Sequence, residues 1–366
     1  MKISVSCRSI VYLNKMSSLK KNVPLHRNNF DLLRLIFASM VVFFHIAILT
    51  QVPSFTWMTQ HISSLFAVQA FFIVSGYLVT MSYEKSRSLC DYWKKRILRI
   101  APAYVFVVVG AAVLLSFLST LSFEEYFSSK DFWRYIAFNL VLANFNAPSL
   151  PGVFLGQYES AVNVSLWTIK IEVLFYAVVP AIVWAVRKWG YNKVLGLVFF
   201  FSLAWKIGFL LQGTATGTEF YFKMAKQLPG QLCFFAGGAW CFYKTREGFR
   251  PPAWMALAGV LLYYIPDGWL FEVLSPIAVT MLVSWAAISM PHLGNIGKHG
   301  DFSFGIYLFH APIAQVFISL GLFSVYPVRA MIASILCIVF LALFSWNYIE
   351  QPFLRHRKQI PNPALA

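Results

Sequence analysis

The stretch FDLLRLIFASMVVFFHIAILT (30–50) decides the class of this protein. It is almost wholly apolar, and about 20 such residues are enough for an α-helix to cross roughly 30 Å of hydrocarbon. Besides Asp31 at its start, it contains two ionisable residues, Arg34 and His45. The stretch therefore predicts a membrane-spanning helix that carries ionisable side chains where they are costly.

The composition of the whole chain agrees with this prediction. Of its 366 residues, 59% are hydrophobic and 12% are charged, and the mean hydropathy is +0.65. A soluble domain carries about 25% charged residues, so this chain has too few to cover a globular surface. The composition excludes a soluble enzyme, a disordered chain and a disulfide scaffold, and it indicates an all-α polytopic membrane protein.

Ten apolar stretches are long enough, or nearly so, to span a bilayer, and the seventh is the shortest. The predicted transmembrane helices lie at about 30–50, 64–83, 101–120, 165–186, 194–212, 228–243, 252–266, 269–289, 303–322 and 327–349. With the N-terminus placed in the cytoplasm, 22 of the 30 Lys and Arg residues fall in cytoplasmic segments. This bias predicts that both termini are cytoplasmic. The net charge of +16 then reflects topology, and no nucleic-acid partner is expected.

The predicted organisation is a basic cytoplasmic N-terminal segment (1–29), a transmembrane domain (30–350) with one long external loop (121–164), and a cytoplasmic tail (351–366). Within the loop, residues 131–142 have apolar side chains at helical spacing and are predicted to lie along the interface. The N-terminal segment has no pattern of a cleavable signal peptide. Met16 offers a second plausible start, so residues 1–15 are expected to be dispensable.

Arg34 and His45 are eleven residues apart, which brings them to one face of a helix about 16 Å apart along its axis. The predicted orientation puts Arg34 near the cytoplasmic mouth and His45 deep in the membrane. A fixed cation at an entrance and an imidazole at depth suit an anionic ligand with its reactive end inside. The alternatives are an arginine that snorkels to the surface and a histidine that bonds a neighbouring helix.

Polar residues also follow one face of the fourth and ninth predicted spans. In SLWTIKIEVLFY (165–176), Glu172 lies on such a stripe and is predicted to orient His45 and stabilise its protonated form. The alternative is a structural ion pair between Glu172 and Lys206. In the ninth span, Tyr307 and His310 share a face and are predicted to line a pore, unless they form a structural hydrogen-bond network.

Two further motifs are candidates for ligand binding. In YWKKRILRIAP (92–102), Arg96 and Arg99 are neighbours on a helix, so two guanidinium groups can converge on one phosphate. Ordinary anchoring of positive charges at the cytoplasmic surface also accounts for this run. In the second span, Ser75 and Gly76 either bring backbone close to a ligand or form a small-residue helix contact.

Taken in order, these motifs resemble the acyltransferase family 3 membrane proteins, which O-acylate cell-surface sugars in bacteria. The segments that carry the resemblance are FDLLRLIFASMVVFFH (30–45), FFIVSG (71–76), RILR ahead of AP (96–102), SLWTIKIEVLFY (165–176), SFGIYLFHAP (303–312) and YIEQP (348–352). The resemblance implies about ten helices around a pore, into which acyl-CoA, usually acetyl-CoA, enters from the cytoplasm. The acyl group would then reach a glycan hydroxyl at or beyond the outer face.

The same resemblance implies roles for individual residues. Those implied for the CoA phosphates are Arg34, Arg96 and Arg99. His45 would be the catalytic base or would carry the acyl group transiently, Glu172 would support it, and Ser75 would shape the pore. No metal is expected, since a thioester is already activated and no metal-ligand cluster is evident in the sequence.

The sequence thus predicts an O-acetyltransferase in the bacterial inner membrane. Its expected partners are acyl-CoA, the lipid bilayer and a glycan acceptor of the O-antigen, capsule or exopolysaccharide type, or its lipid-linked precursor. One alternative is a transporter or flippase for a glycan or lipid-linked intermediate, since intramembrane charges suit it too. Another is a structural subunit of a polysaccharide assembly complex.

Overall fold

A computed structural model describes residues 28–265, 268–294 and 300–355 of the chain. Helices make up most of these residues, and no strand occurs among them. Predictions on the N-terminal segment up to residue 27, including the start at Met16, lie outside the described residues, as does the tail from residue 356.

The described chain has a helix at each of the ten predicted stretches. These are α1 (Phe30–Thr50), α2 (Ser64–Glu84), α3 (Leu89–Leu114), α4 (Leu166–Trp189), α5 (Tyr191–Thr216), α6 (Leu228–Arg246), α7 (Ala253–Tyr263), α8 (Trp269–Ile288), α9 (Ser303–Ser319) and α10 (Pro327–Phe344). Seven described helices, α1 to α5, α8 and α10, are long and apolar enough to cross a membrane, whereas α7 and α9 are shorter and α6 is not among the seven. The protein is therefore an all-helical, multi-pass membrane protein.

Short helices lie between these elements and after the last of them. Their bounds are Thr56–His61, Phe123–Ser128, Lys130–Leu140, Glu219–Ala225, Leu322–Val325 and Gln351–Arg355. The helix predicted in the long loop is present as Lys130–Leu140, with Phe132 and Tyr135 buried and Trp133 exposed. Its apolar face thus packs on the protein, and its predicted position at the membrane interface stays a prediction.

Neighbouring helices run in directions that side-chain contacts define. Arg34 near the start of α1 pairs with Asp301, just before α9, and His45 farther along α1 contacts His310 farther along α9. Helices α1 and α9 are therefore parallel. Helix α4 runs opposite to both, because Ser165 at its start contacts His310, and Thr168, farther along α4, contacts Tyr307, which comes earlier on α9.

Helices α2 and α6 cross at glycines. A Cβ atom on Gly76 would lie 2.1 Å from the carbonyl oxygen of Phe235, and one on Gly238 would lie 1.9 Å from that of Ile73. Only residues without a side chain permit so close an approach of two backbones. The small-residue helix contact proposed for the Ser75-Gly76 pair is therefore confirmed for Gly76.

Helix α10 continues into a π-helical segment, Ser345–Glu350. Short π-helical turns often occur at functional sites, since the wider turn changes the direction of the side chains. Here the segment buries Glu350 completely. Trp346 packs against Gly300, where a Cβ atom would lie 2.0 Å from the indole nitrogen. The turn therefore adjoins the segment that carries Asp301.

Candidate functional site

A cavity lies among α1, α2, α3, α4 and α9. Its volume is about 770 Å³, counted with the open space at its mouth. It brings together six of the eight predicted site residues: Arg34, Ser75, Arg96, Arg99, Glu172 and Tyr307. The other two, His45 and His310, contact each other and are not part of its lining. Most of the site residues predicted from the sequence therefore surround this space.

Two of the three arginines in the cavity are paired with carboxylates. Asp301 pairs with both Arg34 and Arg99, and a second nitrogen of Arg99 lies 3.1 Å from Glu350 Oε2. Burial alone would raise the pKa of Asp301, but the Arg34 and Arg99 guanidinium groups lower that pKa to about 2. Asp301 is therefore ionised at neutral pH and fixes both arginines at the mouth.

Sequence reasoning missed both of these carboxylates as site residues. Asp301 stands two residues before the polar face of α9 begins at Ser303, and Glu350 is the acidic residue of the YIEQP motif. The motif could have marked Glu350 as a site residue, although it does not indicate Arg99 as its partner. Asp301 had no comparable signal, because an acidic residue in a short connecting segment is ordinary.

Arg96 differs from the other two arginines. Its Nη2 donates a hydrogen bond to Ser82 Oγ at 3.2 Å, and its guanidinium group lies 5.4 Å from the centre of the Tyr176 ring. Its Nε is buried without a hydrogen-bond partner. Within the described ranges, no carboxylate forms an ion pair with Arg96. Arg96 therefore has donors available for an anion in the cavity.

Ser75 and Glu172 lie on the walls of the cavity. The hydroxyl of Ser75 is buried without a partner, so it also is available to a ligand. Glu172 accepts a hydrogen bond of 2.5 Å from the Tyr176 hydroxyl. The hydrogen bond found for His45 is with His310 and not with Glu172.

The predicted contact between Glu172 and His45 is therefore wrong, and the position of Glu172 along α4 explains why. Ser165 marks the level of the histidines on α4, and Glu172 is seven residues farther on, or about 10 Å toward the arginines. The alternative, an ion pair between Glu172 and Lys206, is also wrong. Lys206 pairs instead with Glu272 of α8, at 2.6 Å.

His45 and His310 form a contacting pair beyond the cavity. His45 Nδ1 lies 2.7 Å from His310 Nε2, and the two rings are within 2° of parallel. His310 is fully buried, and its Nδ1 lies 2.7 Å from the backbone oxygen of Tyr307. The hydroxyl of Ser165 lies 3.1 Å from His310 Nε2. His45 is partly exposed, so this pair is accessible through His45.

A pair of hydroxyl groups lies between the cavity and the histidines. Thr168 Oγ1 and the Tyr307 hydroxyl are 2.6 Å apart, and both residues line the cavity. The rings of Tyr307 and His310 are 5.7 Å apart. The arginines of the cavity and the histidine pair are thus joined by a polar path along α4 and α9. In the described ranges, no three His, Cys, Asp or Glu side chains cluster as metal ligands would, and the absence of a metal stays a prediction.

Comparisons with known proteins agree with the predicted family. The profile of the acyltransferase 3 family, described as an acyltransferase domain, matches residues 27–346. Nodulation protein 10 of Rhizobium leguminosarum bv. viciae is 28% identical, over 92% of this chain and 95% of that protein. The O-acetyl transferase of Shigella phage Sf6 is 27% identical, over 90% of this chain and 97% of that protein. No solved structure matches this chain.

A third relative is longer than this chain. The O-acetyltransferase OatA of Staphylococcus aureus (strain NCTC 8325 / PS 47) is 24% identical, over 78% of this chain and 52% of that protein. The family profile covers well over half of the present chain, and two of these relatives carry O-acetyl transfer in their names. The resemblance read from the motifs is therefore confirmed: the chain belongs to the acyltransferase 3 family, and it is a membrane O-acetyltransferase.

Proposed function

We propose that this O-acetyltransferase takes the acetyl group of cytoplasmic acetyl-CoA and transfers it across the bacterial inner membrane to a hydroxyl group of a surface polysaccharide or its lipid-linked precursor. The observation that carries the proposal is the arrangement along α1 and α9. Three arginines surround a cavity at one end of this helix pair, and two histidines meet farther along it. Such a path suits a ligand with phosphates at one end and a thioester at the other.

The topology that we propose has ten crossings. Thr245 near the end of α6 contacts Tyr77, whose ring packs on Phe30 at the start of α1. The end of α8 is at the same face, since the backbone of Asn29 bonds that of Ala287. The chain must therefore return across the bundle between α6 and α8, and α7 with its flanking residues carries it across.

Both ends of the described chain lie at that same face. Glu350, after α10, contacts Arg99 on the first half of α3, beside the start of α1. An even number of crossings gives this result. Together with the sequence prediction that 22 of the 30 Lys and Arg residues belong to cytoplasmic segments, it supports cytoplasmic termini and a cavity that opens to the cytoplasm.

The arginine-lined mouth is the proposed site for the CoA phosphates. Arg96 has unpaired donors and can bind a phosphate in a bidentate manner. Ion pairs with carboxylates hold the guanidinium groups of Arg34 and Arg99 in fixed positions near the bound phosphates. The same carboxylates offset the positive charge of these arginines when no ligand is bound. In this proposal the pantetheine arm follows the cavity past Ser75 toward Tyr307.

The transfer that we propose needs one base. His45 removes the proton of the acceptor hydroxyl, and the oxygen attacks the thioester carbonyl carbon. The carbon–sulfur bond breaks, the new ester leaves, and the CoA thiolate takes the proton from His45. The same nitrogen could carry the acetyl group between donor and acceptor, and both routes consume one thioester and one hydroxyl group. The buried walls exclude water, which would otherwise compete with the acceptor.

The long loop is the proposed approach for the acceptor. Gln315, five residues beyond His310 on α9, donates hydrogen bonds to the backbone oxygens of Glu159 and Ala161, at 2.6 and 3.2 Å. Gln157 in the same segment donates to Ser319 at 2.6 Å. The loop thus packs on the end of α9 that follows the histidine. A glycan bound at this end would be near His45.

The test uses membranes that contain the wild-type protein or His45→Ala, incubated with acetyl-CoA labelled in its acetyl group. Mass spectrometry then measures labelled acetyl esters in the surface polysaccharide fraction. We expect label with the wild-type protein and none with His45→Ala, while both purified proteins still bind acetyl-CoA. Full labelling by His45→Ala would refute the role of His45, and a wild-type protein that neither binds nor consumes acetyl-CoA would refute the proposed donor.

A further inference from the structure

We propose that His310 is a positioning residue that holds the proton of His45 on Nδ1 and so leaves Nε2 of His45 as the reactive nitrogen. The proposal rests on the function proposed above, because it assigns the atom of His45 that would accept the proton of the acceptor hydroxyl. It is carried by the three hydrogen bonds that surround the imidazole of His310.

The first step is the protonation state of His310. Its Nδ1 lies 2.7 Å from the backbone oxygen of Tyr307. A carbonyl oxygen only accepts hydrogen bonds, so Nδ1 of His310 must carry a proton. His310 is fully buried, and among the described residues no carboxylate bonds to its ring. A charged imidazole in such surroundings would be costly, so the ring is neutral and its Nε2 carries a lone pair.

The second step derives the protonation state of His45 from that of His310. Nδ1 of His45 lies 2.7 Å from His310 Nε2, which carries a lone pair and no proton, so Nδ1 of His45 must donate. A neutral imidazole has only one N–H group. Nε2 of His45 is therefore unprotonated, and no hydrogen bond to it is found in the described part of the chain. This nitrogen is free to take a proton or to attack a carbonyl carbon.

The hydroxyl of Ser165 is also within hydrogen-bond distance of the lone pair of His310 Nε2, but its contact is the longer of the two. This hydroxyl is 3.1 Å from His310 Nε2, against 2.7 Å for His45. One imidazole lone pair makes one strong hydrogen bond, and the shorter contact belongs to His45. The same comparison disfavours Ser165 as an acyl carrier, since the base beside it is already engaged.

The arrangement parallels the use of a buried acceptor to fix a catalytic imidazole, in which a carboxylate usually has the role that His310 has here. A neutral acceptor fixes the tautomer and the ring orientation without adding a negative charge at mid-membrane, where a lone carboxylate is costly. His310 would thus position His45 through its Nδ1, while only Nε2 of His45 contacts the substrate.

The test compares three substitutions of His310 in proteoliposomes. A glutamine side chain reaches about as far as Nε2 of histidine, so His310→Gln keeps an acceptor for His45. An asparagine side chain reaches about as far as Nδ1, so His310→Asn keeps only the contact with Tyr307, and His310→Leu keeps neither. We expect kcat to fall about 10²- to 10⁴-fold in the Asn and Leu variants, by less than about tenfold in the Gln variant, and KM for acetyl-CoA to stay unchanged in all three.

Ser165→Ala is the matched control, because it removes the other partner of His310 Nε2, and its kcat should stay within a few-fold of wild type. Equal kcat values for His310→Gln and His310→Asn would overturn the proposal, as would a Ser165→Ala variant as impaired as His310→Leu. Binding of acetyl-CoA shows that each variant is folded.

A second measurement needs no substitution at His310. Nitrogen-15 NMR of the wild-type protein with labelled histidines reports which ring nitrogen of His45 is protonated, and His45→Ala identifies its signals. A proton on Nδ1 supports the proposal, and a proton on Nε2 overturns it. This result is independent of turnover. If the wild-type protein does not use acetyl-CoA, the proposed function fails while the tautomer of His45 still tests the inference.

Discussion

Arg96 allows the sharpest test of the proposed donor site. Substitution by methionine removes the guanidinium group and keeps an unbranched apolar stem. The arginine has five N–H donors, of which the structure engages Nη2 with Ser82 and leaves Nε buried without a partner. Since no carboxylate in the described ranges pairs with Arg96, its removal leaves no acidic side chain uncompensated. Arg96→Met should therefore weaken ligand binding and leave the stability of the fold unchanged.

The size of the effect follows from the bonds that Arg96 can make. A hydrogen bond to a charged group contributes about 1.5–3 kcal/mol. At about 1.4 kcal/mol per factor of ten, this corresponds to a rise of about 10- to 150-fold in Kd for acetyl-CoA. The CoA phosphates are remote from the reacting carbon and bind alike in the ground state and the transition state. KM should therefore rise with Kd, and kcat should stay within a few-fold of wild type.

The assay measures Kd for acetyl-CoA by calorimetry in detergent, and kcat and KM in proteoliposomes. Lys94→Met is the matched control, since Lys94 is a nearby exposed cation on the same helix end and does not line the cavity. Its Kd should change less than twofold at physiological salt. Equal losses for the two variants would show that general surface charge attracts the donor. An unchanged Kd for Arg96→Met would refute the assignment of the cavity as the CoA site.

Three further predictions concern the framework around the site. Glu350→Gln should lower the free energy of unfolding by about 1–3 kcal/mol, because it removes the charge of a fully buried acceptor 3.1 Å from Arg99; an unchanged thermal transition in detergent would contradict this. Gly238→Ala should destabilise the protein by about 1–3 kcal/mol or more through overpacking, whereas Gly110→Ala, which meets open space, should not; equal transitions for the two would contradict the close helix crossing. Since the folded-state pKa of Asp301 is depressed to about 2, its ion pairs should stabilise the protein fully above the ordinary pKa of 3.8 and lose that contribution as pH falls toward 2. Asp301→Asn should therefore be less stable than wild type at pH 6, with the difference narrowing toward pH 2; a difference independent of pH would contradict the depressed pKa.

The helices could be predicted because the membrane imposes a simple rule on the sequence. A backbone in hydrocarbon must satisfy its own hydrogen bonds, so each apolar stretch of sufficient length becomes a helix. The prediction at 30–50 matches α1 at Phe30–Thr50, and that at 64–83 matches α2 at Ser64–Glu84. The start of α3 was missed, since the predicted span begins at 101 and the helix at Leu89.

That error has a physical cause. Apolarity marks the part of a helix that lies in hydrocarbon, whereas the helix itself begins where a cap satisfies its first N–H groups. The hydroxyl of Ser88 accepts a hydrogen bond from the backbone of Asp91 and caps α3 more than two turns before the apolar stretch. The extension is what places Arg96 and Arg99 on one rigid helix beside the cavity.

Partners of charged residues could not be read from the sequence. Helical spacing predicts which residues share a face, but the ion pairs of the site join residues more than 200 positions apart, such as Arg99 and Glu350. Lys206 shows the limit, because the sequence suggested Glu172 as its partner and the fold supplies Glu272. A pairing between helices depends on which helices are neighbours and on their relative depth, and hydropathy determines neither.

The spacing within α1 nevertheless anticipates the site, and α9 shows why. Arg34 and His45 are eleven residues apart on α1, and their partners are nine apart, Asp301 just before the parallel helix α9 and His310 on it. Both contacts therefore depend on one register between α1 and α9, and a shift of a single turn, about 5.4 Å, would break both at once. The cation at the mouth and the imidazole at depth are consequently not independent features of α1. The packing of α1 against α9 holds both side chains, and therefore the distance between them. An enzyme needs such a fixed distance if it binds one end of a donor of fixed length and catalyses a reaction at the other end.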